Sequence, residues 1–209
     1  MLPKLKKTMS LKKAIVIIIV VLLIDQISKI YIKTHFAIGD GFDVFSWFKI
    51  YFIENEGMAW GAKIPGKYGK LALSLFRIAA IMGIGYWLWD SVRKEASKVL
   101  IVSIALIFAG AFGNIVDSVF YGIIFNDSNH QVASFMPAEG GYGTLFHGKV
   151  VDMFSFSFFD PVFNVADSSI SIGVALLILF NKRAFPKRKD PKWVAQIDHD
   201  PTIEEVNKD

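Results

Sequence analysis

Long apolar stretches dominate the pattern of hydrophobic and polar positions along the chain. Four of them approach the roughly 20 residues that a helix needs to cross the hydrocarbon core of a membrane. The first opens with an unbroken apolar run at residues 14–24, and the second is interrupted only by Arg77. The pattern therefore predicts a membrane α-helical protein with four transmembrane helices, at about residues 14–33, 71–89, 99–120 and 163–180.

Basic residues orient these spans. Fourteen of them lie in the N-terminal segment, between spans two and three, and at residues 182–192 after span four, whereas the loops 34–70 and 121–162 together carry five. By the positive-inside rule, both termini are cytoplasmic and both longer loops face outward. The first apolar run also resembles the core of a cleavable signal peptide. It ends in Asp25-Gln26 with no small-residue cleavage site, which favours an uncleaved span.

The two outward loops contain short segments with the character of strands. Residues 44–55 are rich in aromatic and β-branched side chains, and in residues 152–158 phenylalanines alternate with serines at a period of two. We expect a small sheet on the outer leaflet, with the polar, glycine-rich residues 126–143 as a mobile cover over the site. Residues 1–183 are predicted to form a single membrane-embedded domain, and the charged residues 184–209 a disordered cytoplasmic tail.

The composition narrows the possible chemistry. Of the 209 residues, 53% are hydrophobic and 20% are charged, and the charged share is below the usual quarter of a soluble domain. The absence of cysteine excludes disulfides, thiolate metal sites and a cysteine nucleophile, and the four histidines are too scattered for a zinc triad. We therefore expect no metal and no cofactor, so that any chemistry uses oxygen and nitrogen groups.

Ionisable residues inside membrane spans are costly and indicate function by default. Asp25 and Lys29 lie four residues apart on one helix face, which predicts an ion pair with a structural role. Asn114 and Asp117 follow small residues within 109–113, which let another helix approach closely. For Asp117, structural support and substrate positioning are both open. Arg77 has no partner within its own helix and receives no role.

Asp152 and Asp167 remain near the outer ends of the spans. Asp152 lies in a strand-like segment beside phenylalanines, and Asp167 lies about five residues inside span four, three residues after Asn164. Two carboxylates that share a proton can activate a water molecule against a carbonyl group and protonate the leaving amine. The sequence does not show that these acids approach each other. A small proton- or ion-coupled carrier and a structural membrane subunit are therefore alternatives.

Five short motifs, spread from the first span to the fourth, resemble those of the lipoprotein signal peptidases (signal peptidase II). Any one of them would be weak, but five in the family's order form a specific match and favour an enzyme over a carrier. The motifs are Asp25-Gln26-Ile27-Ser28-Lys29, Asn55-Glu56-Gly57-Met58-Ala59-Trp60, Ala109-Gly110-Ala111-Phe112-Gly113-Asn114-Ile115-Val116-Asp117, Val150-Val151-Asp152-Met153-Phe154 and Phe163-Asn164-Val165-Ala166-Asp167-Ser168.

The resemblance implies an aspartic endopeptidase of the bacterial inner membrane. Such an enzyme removes the signal peptide from diacylglyceryl-modified prolipoproteins, cleaving before the lipid-modified cysteine, and is inhibited by the cyclic peptide globomycin. The implied fold is four transmembrane helices with a small extracytoplasmic β-cradle and a short outer helix, and the active site lies at the outer (periplasmic) face. The implied partners are the prolipoprotein substrate and membrane lipid, with no nucleic acid, and the chain is expected to act as a monomer.

The resemblance also assigns roles to individual residues. The family's catalytic dyad maps onto Asp152 and Asp167. Positions that bind substrate or support the family's site map onto Asn55, Gly57, Asn114, Asp117 and Asn164. Positions linked to stability map onto Asp25 and Lys29.

Two features depart from the family's pattern. The third motif usually continues with Arg, whereas Ser118 follows Asp117 here, so either another cation such as Arg77 substitutes or that contact is lost. The acids of the third and fourth motifs are also 35 residues apart, far more than is usual in the family. Neither departure removes a catalytic acid, and the extra outer segment, residues 121–149, is predicted to shape substrate entry.

Overall fold

Three long helices form the frame of the computed structural model, which describes residues 9–56 and 69–186. They are α1 (Leu11–His35), α2 (Gly69–Arg93) and α3 (Lys98–Val116), and α3 continues through a π-helical turn (Asp117–Tyr121) into the short α4 (Gly122–Ile124). Among the described residues, the three helices long and apolar enough to cross a membrane are Leu11–His35, Gly69–Arg93 and Lys98–Ile124. The first three predicted spans are therefore helical, and each of these three helical segments is longer than the span predicted for it.

The fourth apolar segment is shorter than predicted. Helix α5 (Val165–Leu179) has 15 residues and is followed by the short helix α6 (Asn181–Ala184). At 1.5 Å per residue, α5 is about 22 Å long, less than the roughly 30 Å of a hydrocarbon core. The predicted start at residue 163 is wrong, because Phe163 ends a strand and Asn164 caps the helix. A fourth membrane crossing stays a prediction.

The predicted strand segments belong to one antiparallel sheet of four strands, not two. The strands lie side by side in the order β1 (Gly41–Phe45), β2 (Phe48–Asn55), β3 (Val150–Phe156) and β4 (Phe159–Phe163). The predicted strand at 44–55 runs across the turn between β1 and β2, and Phe158 lies in the turn between β3 and β4. Strand β4 contains Pro161, which an edge strand tolerates because its free side needs no N–H donor.

Small residues allow α3 to pack closely against its neighbours, as predicted. A Cβ atom added at Gly110 would lie 2.2 Å from the carbonyl oxygen of Ala166 in α5. One added at Gly113 would lie 2.6 Å from Asp25 Oδ2 in α1. Any larger side chain at these two positions would therefore push α5 or α1 away from α3.

The extra segment, residues 121–149, docks against the C-terminal end of α1. The fully buried Lys33 ion-pairs with Glu54 of β2 and donates a hydrogen bond to Ser128 Oγ at 2.7 Å. The Ser128 carbonyl accepts from the Ile38 N–H at 3.0 Å, and the Phe125 side chain is fully buried. No residue of 121–149 lines the cavity described below. These contacts place the segment beside the helix and the sheet, and its role as a mobile cover over the site stays a prediction.

Three predictions fall on residues that the structure does not describe. The first concerns Gly57, since residues 57–68 lie outside the described part of the chain. Most of the predicted tail is the second, since residues 187–209 lie outside it as well. The basic residues before residue 9, which helped to orient the spans, are the third.

Candidate active site

A cavity of about 950 Å³ lies where the sheet meets one end of the helices. Residues of α2, α3 and α5 form one side of it, and residues of β2, β3 and β4 form the other. Its apolar lining includes Ile53, Ile81, Ile115 and Phe163. Its polar lining residues are Asn55, Arg77, Asn114, Asp152, Asp160, Asp167, Ser168 and Ser171.

Asp152 reaches this cavity from β3 and is 2% exposed. Asn164 Nδ2 donates to its Oδ1 at 2.7 Å, and Asn55 Nδ2 donates to its Oδ2. Burial, followed by the nearby Asp167 charge, raises the pKa of Asp152 to about 7, although the two amide hydrogen bonds oppose this shift. Asp152 therefore holds a proton close to neutral pH, as a general acid requires.

Asp167 reaches the same cavity from the first turn of α5. Asn164 caps this helix, and its Oδ1 accepts a hydrogen bond from the Asp167 N–H at 2.9 Å. Asn114 Nδ2 donates to Asp167 Oδ1 at 2.8 Å. Because the N-terminus of a helix carries partial positive charge, a negative carboxylate is favoured at this position.

The fully buried Asn164 joins the two acids. Besides Asp152 and the Asp167 N–H, its side chain contacts the Val151 carbonyl at 3.2 Å and Asn114 Oδ1 at 3.1 Å. One amide thus positions the side chain of one acid and the backbone of the other. The structure brings Asp152 and Asp167 into a single cavity, which the sequence by itself did not show.

Behind the cavity, Lys29 of α1 forms a fully buried charged cluster. Its Nζ lies 2.9 Å from each of Asp25 Oδ2, Asp117 Oδ2 and Asn114 Oδ1, so each of its three N–H donors has an acceptor. The predicted Asp25–Lys29 ion pair is confirmed, and Asp117 shares the same cation. Because Asn114 directs its oxygen to Lys29, its amide group is left to donate to Asp167.

The two carboxylates around Lys29 also hold the backbone next to each cavity acid. Asp25 Oδ1 accepts from the N–H of Ala166, the residue before Asp167, at 2.9 Å. Asp117 Oδ2 accepts from the N–H of Val151, the residue before Asp152, at 3.3 Å. Asp117 is fully buried and does not line the cavity, so the structure places it as a support.

Arg77, which the sequence offered only as a possible substitute for the Arg missing from the third motif, also lines the cavity. It projects from α2, and its Nη1 donates to Ser118 Oγ at 3.5 Å. The sequence signal that marks Arg77 as a candidate functional residue is that it is the one charged residue of the second predicted span. The amides of Asn55, Asn114 and Asn164 lie where the resemblance implied, in contact with one or both cavity acids.

Within residues 9–56 and 69–186, no group of three or more His, Asp, Glu or Cys side chains is arranged to hold a metal ion. The polar groups that line the cavity are the carboxyls of Asp152, Asp160 and Asp167, together with amides, hydroxyls and one guanidinium. Such a set can perform proton transfer to and from a water molecule and a carbonyl substrate.

Comparison with known proteins gives a consistent result. A family model described as signal peptidase (SPase) II matches residues 17–182. A lipoprotein signal peptidase of Porphyromonas gingivalis is 43% identical over 196 residues, covering 84% of this chain and 85% of the relative. One from Staphylococcus carnosus is 32% identical over 181 residues, covering 84% of this chain and 93% of the relative.

The fold has solved counterparts. A structure described as "Bacterial membrane enzyme structure by the in meso method at 2.3 A resolution" superposes with a TM-score of 0.62. It is 30% identical in sequence, and the match covers 88% of this chain and 98% of that chain. A second structure, described in the same words at 1.9 A resolution, gives a TM-score of 0.63 at 28% identity.

The Lys29 cluster predicts an order of stabilities. Lys29→Gln leaves two buried carboxylates without their cation, and we expect it to lower the free energy of unfolding by about 3–5 kcal/mol. Asp25→Asn should cost less, because Asp117 still pairs with Lys29. The check is thermal unfolding of the purified variants in detergent.

The control for this comparison is Lys94→Gln. Lys94 pairs with Asp90 at 2.7 Å but is 74% exposed, so its loss should cost less than about 1 kcal/mol. A melting temperature for Asp25→Asn below that of Lys29→Gln would show that the cluster does not depend on its cation.

Proposed function

On these matches the chain belongs to the signal peptidase II family of lipoprotein-processing peptidases, and from this premise we propose its reaction. It removes the signal peptide from prolipoproteins whose cysteine carries a diacylglyceryl group, and it cleaves immediately before that cysteine. Asp152 and Asp167 carry out the hydrolysis. The observation that supports this most is that both acids line one cavity and are joined through Asn164.

The proposed chemistry follows from the proximity of the two carboxyls. Like charges close together disfavour double ionisation, so the dyad holds one proton near neutral pH. The ionised member takes a proton from a water molecule, whose oxygen attacks the scissile carbonyl carbon. The protonated member donates its proton to the carbonyl oxygen, and the tetrahedral intermediate collapses when the leaving amine receives a proton from the dyad.

The cavity fits a substrate that arrives through the membrane. A signal peptide is an apolar helix and a diacylglyceryl group is lipid, so both partition into the bilayer. The isoleucine and phenylalanine side chains that line the cavity suit such a ligand, and the amides of Asn55 and Asn114 provide hydrogen bonds for a peptide backbone. A volume of about 950 Å³ accommodates a short peptide segment with part of its lipid.

We propose that this cavity lies at the outer face of the bacterial inner membrane, with four spans and both termini cytoplasmic. The charge distribution supports this orientation. The geometry agrees with it, since the cavity lies at the C-terminal ends of α1 and α3 and at the N-terminal ends of α2 and α5. The sheet then forms an extracytoplasmic cradle. A monomer suffices, because every residue named in the cavity comes from one chain.

Asp152→Asn and Asp167→Asn should each abolish cleavage, because the water loses its base or the carbonyl loses its acid. General acid–base catalysis contributes roughly 10²–10⁴-fold, which sets the minimum loss for each variant. The double variant should be little worse than either single one, since the two groups act as a unit. The assay is cleavage of a diacylglyceryl-modified prolipoprotein by the purified variants in detergent.

Two controls accompany that assay. Asp43→Asn removes an exposed acid from β1, outside the cavity, and should retain wild-type activity. The same prolipoprotein without its diacylglyceryl group should be cleaved far more slowly. Clear activity in either dyad variant at a wild-type melting temperature would refute the assignment of the catalytic acids.

The rate of cleavage should also depend on pH. With the pKa of Asp152 raised to about 7, the dyad keeps its proton below that pH and loses it above. We therefore expect kcat to fall as pH rises through about 7. A pH profile of kcat at saturating substrate checks this, and a rate that stays constant well into the alkaline range would contradict it.

Metal removal should have no effect on cleavage. The proposed reaction uses carboxyl groups alone, so activity should persist in excess chelator. The measurement is the same cleavage assay with and without EDTA. Loss of activity that added zinc restores would overturn the aspartyl mechanism.

A further inference from the structure

Arg77 places a positive charge on the wall of the cavity. It lies about eight residues, or roughly 12 Å along the helix axis, after Gly69, the first described residue of α2. A guanidinium at this depth is costly unless it interacts with negative charge. Its hydrogen bond to Ser118 Oγ, at 3.5 Å, is long and involves a neutral group. The carboxylates that act on its charge are Asp167 first and Asp117 second.

Lys29, the buried cation behind the cavity, is already shared by two carboxylates. Its Nζ lies 2.9 Å from both Asp25 and Asp117. Asp167, by contrast, has no ion pair within 4.0 Å among the described residues. Among the described residues that line the cavity, Arg77 is the only basic one, so it is the cation placed to act on Asp167.

The two acids of the dyad have different surroundings. Asp167 lies at a helix N-terminus, accepts a hydrogen bond from the Asn114 amide and lines the same cavity as Arg77. Asp152 lies on a strand, is almost completely buried and accepts hydrogen bonds from two neutral amides. The surroundings favour negative charge on the first acid and a proton on the second.

We propose that Arg77 is a positioning residue that holds Asp167 as the ionised member of the dyad, so that Asp167 takes the proton from water and Asp152 protonates the carbonyl. This inference rests on the proposed aspartyl function and assigns the two roles that the function left open. Arg77 acts through Asp167 and not on the substrate.

Ser118 completes this arrangement. It is 2% exposed, accepts from Arg77, and donates its hydroxyl hydrogen to the Asn114 carbonyl at 2.9 Å. The third family motif usually has Arg at the position of Ser118. Here the guanidinium reaches the same point from α2, and the small serine leaves space for it. The departure from the motif would then relocate the cation without losing it.

The test compares Arg77→Met and Arg77→Lys with wild type in the prolipoprotein cleavage assay. Methionine has a similar length and suits a membrane span, so Arg77→Met should fold. We expect its kcat to fall roughly tenfold or more, with little change in KM, because the ionised member of the dyad loses the positive charge that stabilises it. The acid limb of its pH profile should move to higher pH. Arg77→Lys should retain most of the activity and the wild-type profile.

Two further variants separate charge from packing. Arg93→Met removes an exposed arginine at the opposite end of the same helix, where it stacks on Trp89, and should behave as wild type. Adding Ser118→Arg to Arg77→Met returns a guanidinium to the point that Arg77 contacts, and should restore much of kcat and the acid limb.

The outcomes distinguish this inference from the proposed function. If the dyad variants are inactive but Arg77→Met matches Arg93→Met in kcat and pH profile, the role of Arg77 is refuted and the function stands. The role is also refuted if Arg77→Met loses activity that neither Arg77→Lys nor the relocated arginine restores, since that pattern indicates packing. If the dyad variants stay active, the proposed function itself fails.

Discussion

The buried ammonium of Lys29 is the interaction on which the rest of the structure depends. Removing a cation from water inside a membrane protein is costly, and the three acceptors at 2.9 Å compensate for it. Two of these acceptors also bind the backbone just before a dyad acid. Asp25 uses its other oxygen to accept the N–H before Asp167, and Asp117 uses the oxygen that contacts Lys29 to accept the N–H before Asp152. The third, Asn114, is thereby oriented toward Asp167. One charge on α1 thus fixes the relative positions of α3, α5 and β3.

The backbone of α3 makes this arrangement possible. Gly113 leaves the space that the Asp25 carboxylate occupies, and the helix widens into a π turn at Asp117. Such turns are frequent at functional sites. The carbonyls of Ser118 and Val119 in this turn accept N–H groups from residues 148 and 146, at 2.9 and 3.1 Å. The end of the extra segment is therefore fastened to α3 immediately before β3 begins, which fixes where Asp152 enters the cavity.

Much of this could be predicted from the sequence, because long apolar runs and an i, i+4 ion pair leave local signals. The three long helices, the Asp25–Lys29 pair and the close packing at Gly110 are such cases. Strands β1 and β4 were missed because their turns lie inside continuous aromatic runs. The Lys33–Glu54 pair was missed because 21 residues separate its members. The sequence left structural support and substrate positioning both open for Asp117, which follows Asn114 by three residues. Residues three apart on a helix differ by about 60° around its axis. Asn114 faces the cavity while Asp117 turns to α1.

Two sets of charged residues at this end of the helices each contain one cation and two carboxylates. The closed set is Asp25, Lys29 and Asp117. The open set is Asp152, Arg77 and Asp167. In the closed set each carboxylate touches the cation at 2.9 Å, so no space is left for a ligand and the role is structural. In the open set, no ion pair within 4.0 Å joins the described partners, and the intervening space is the cavity. Asn114 links the sets, with its oxygen on Lys29 and its amide on Asp167. The rigid set can therefore hold the open one in place while the open carboxyls stay available to exchange protons with water and substrate.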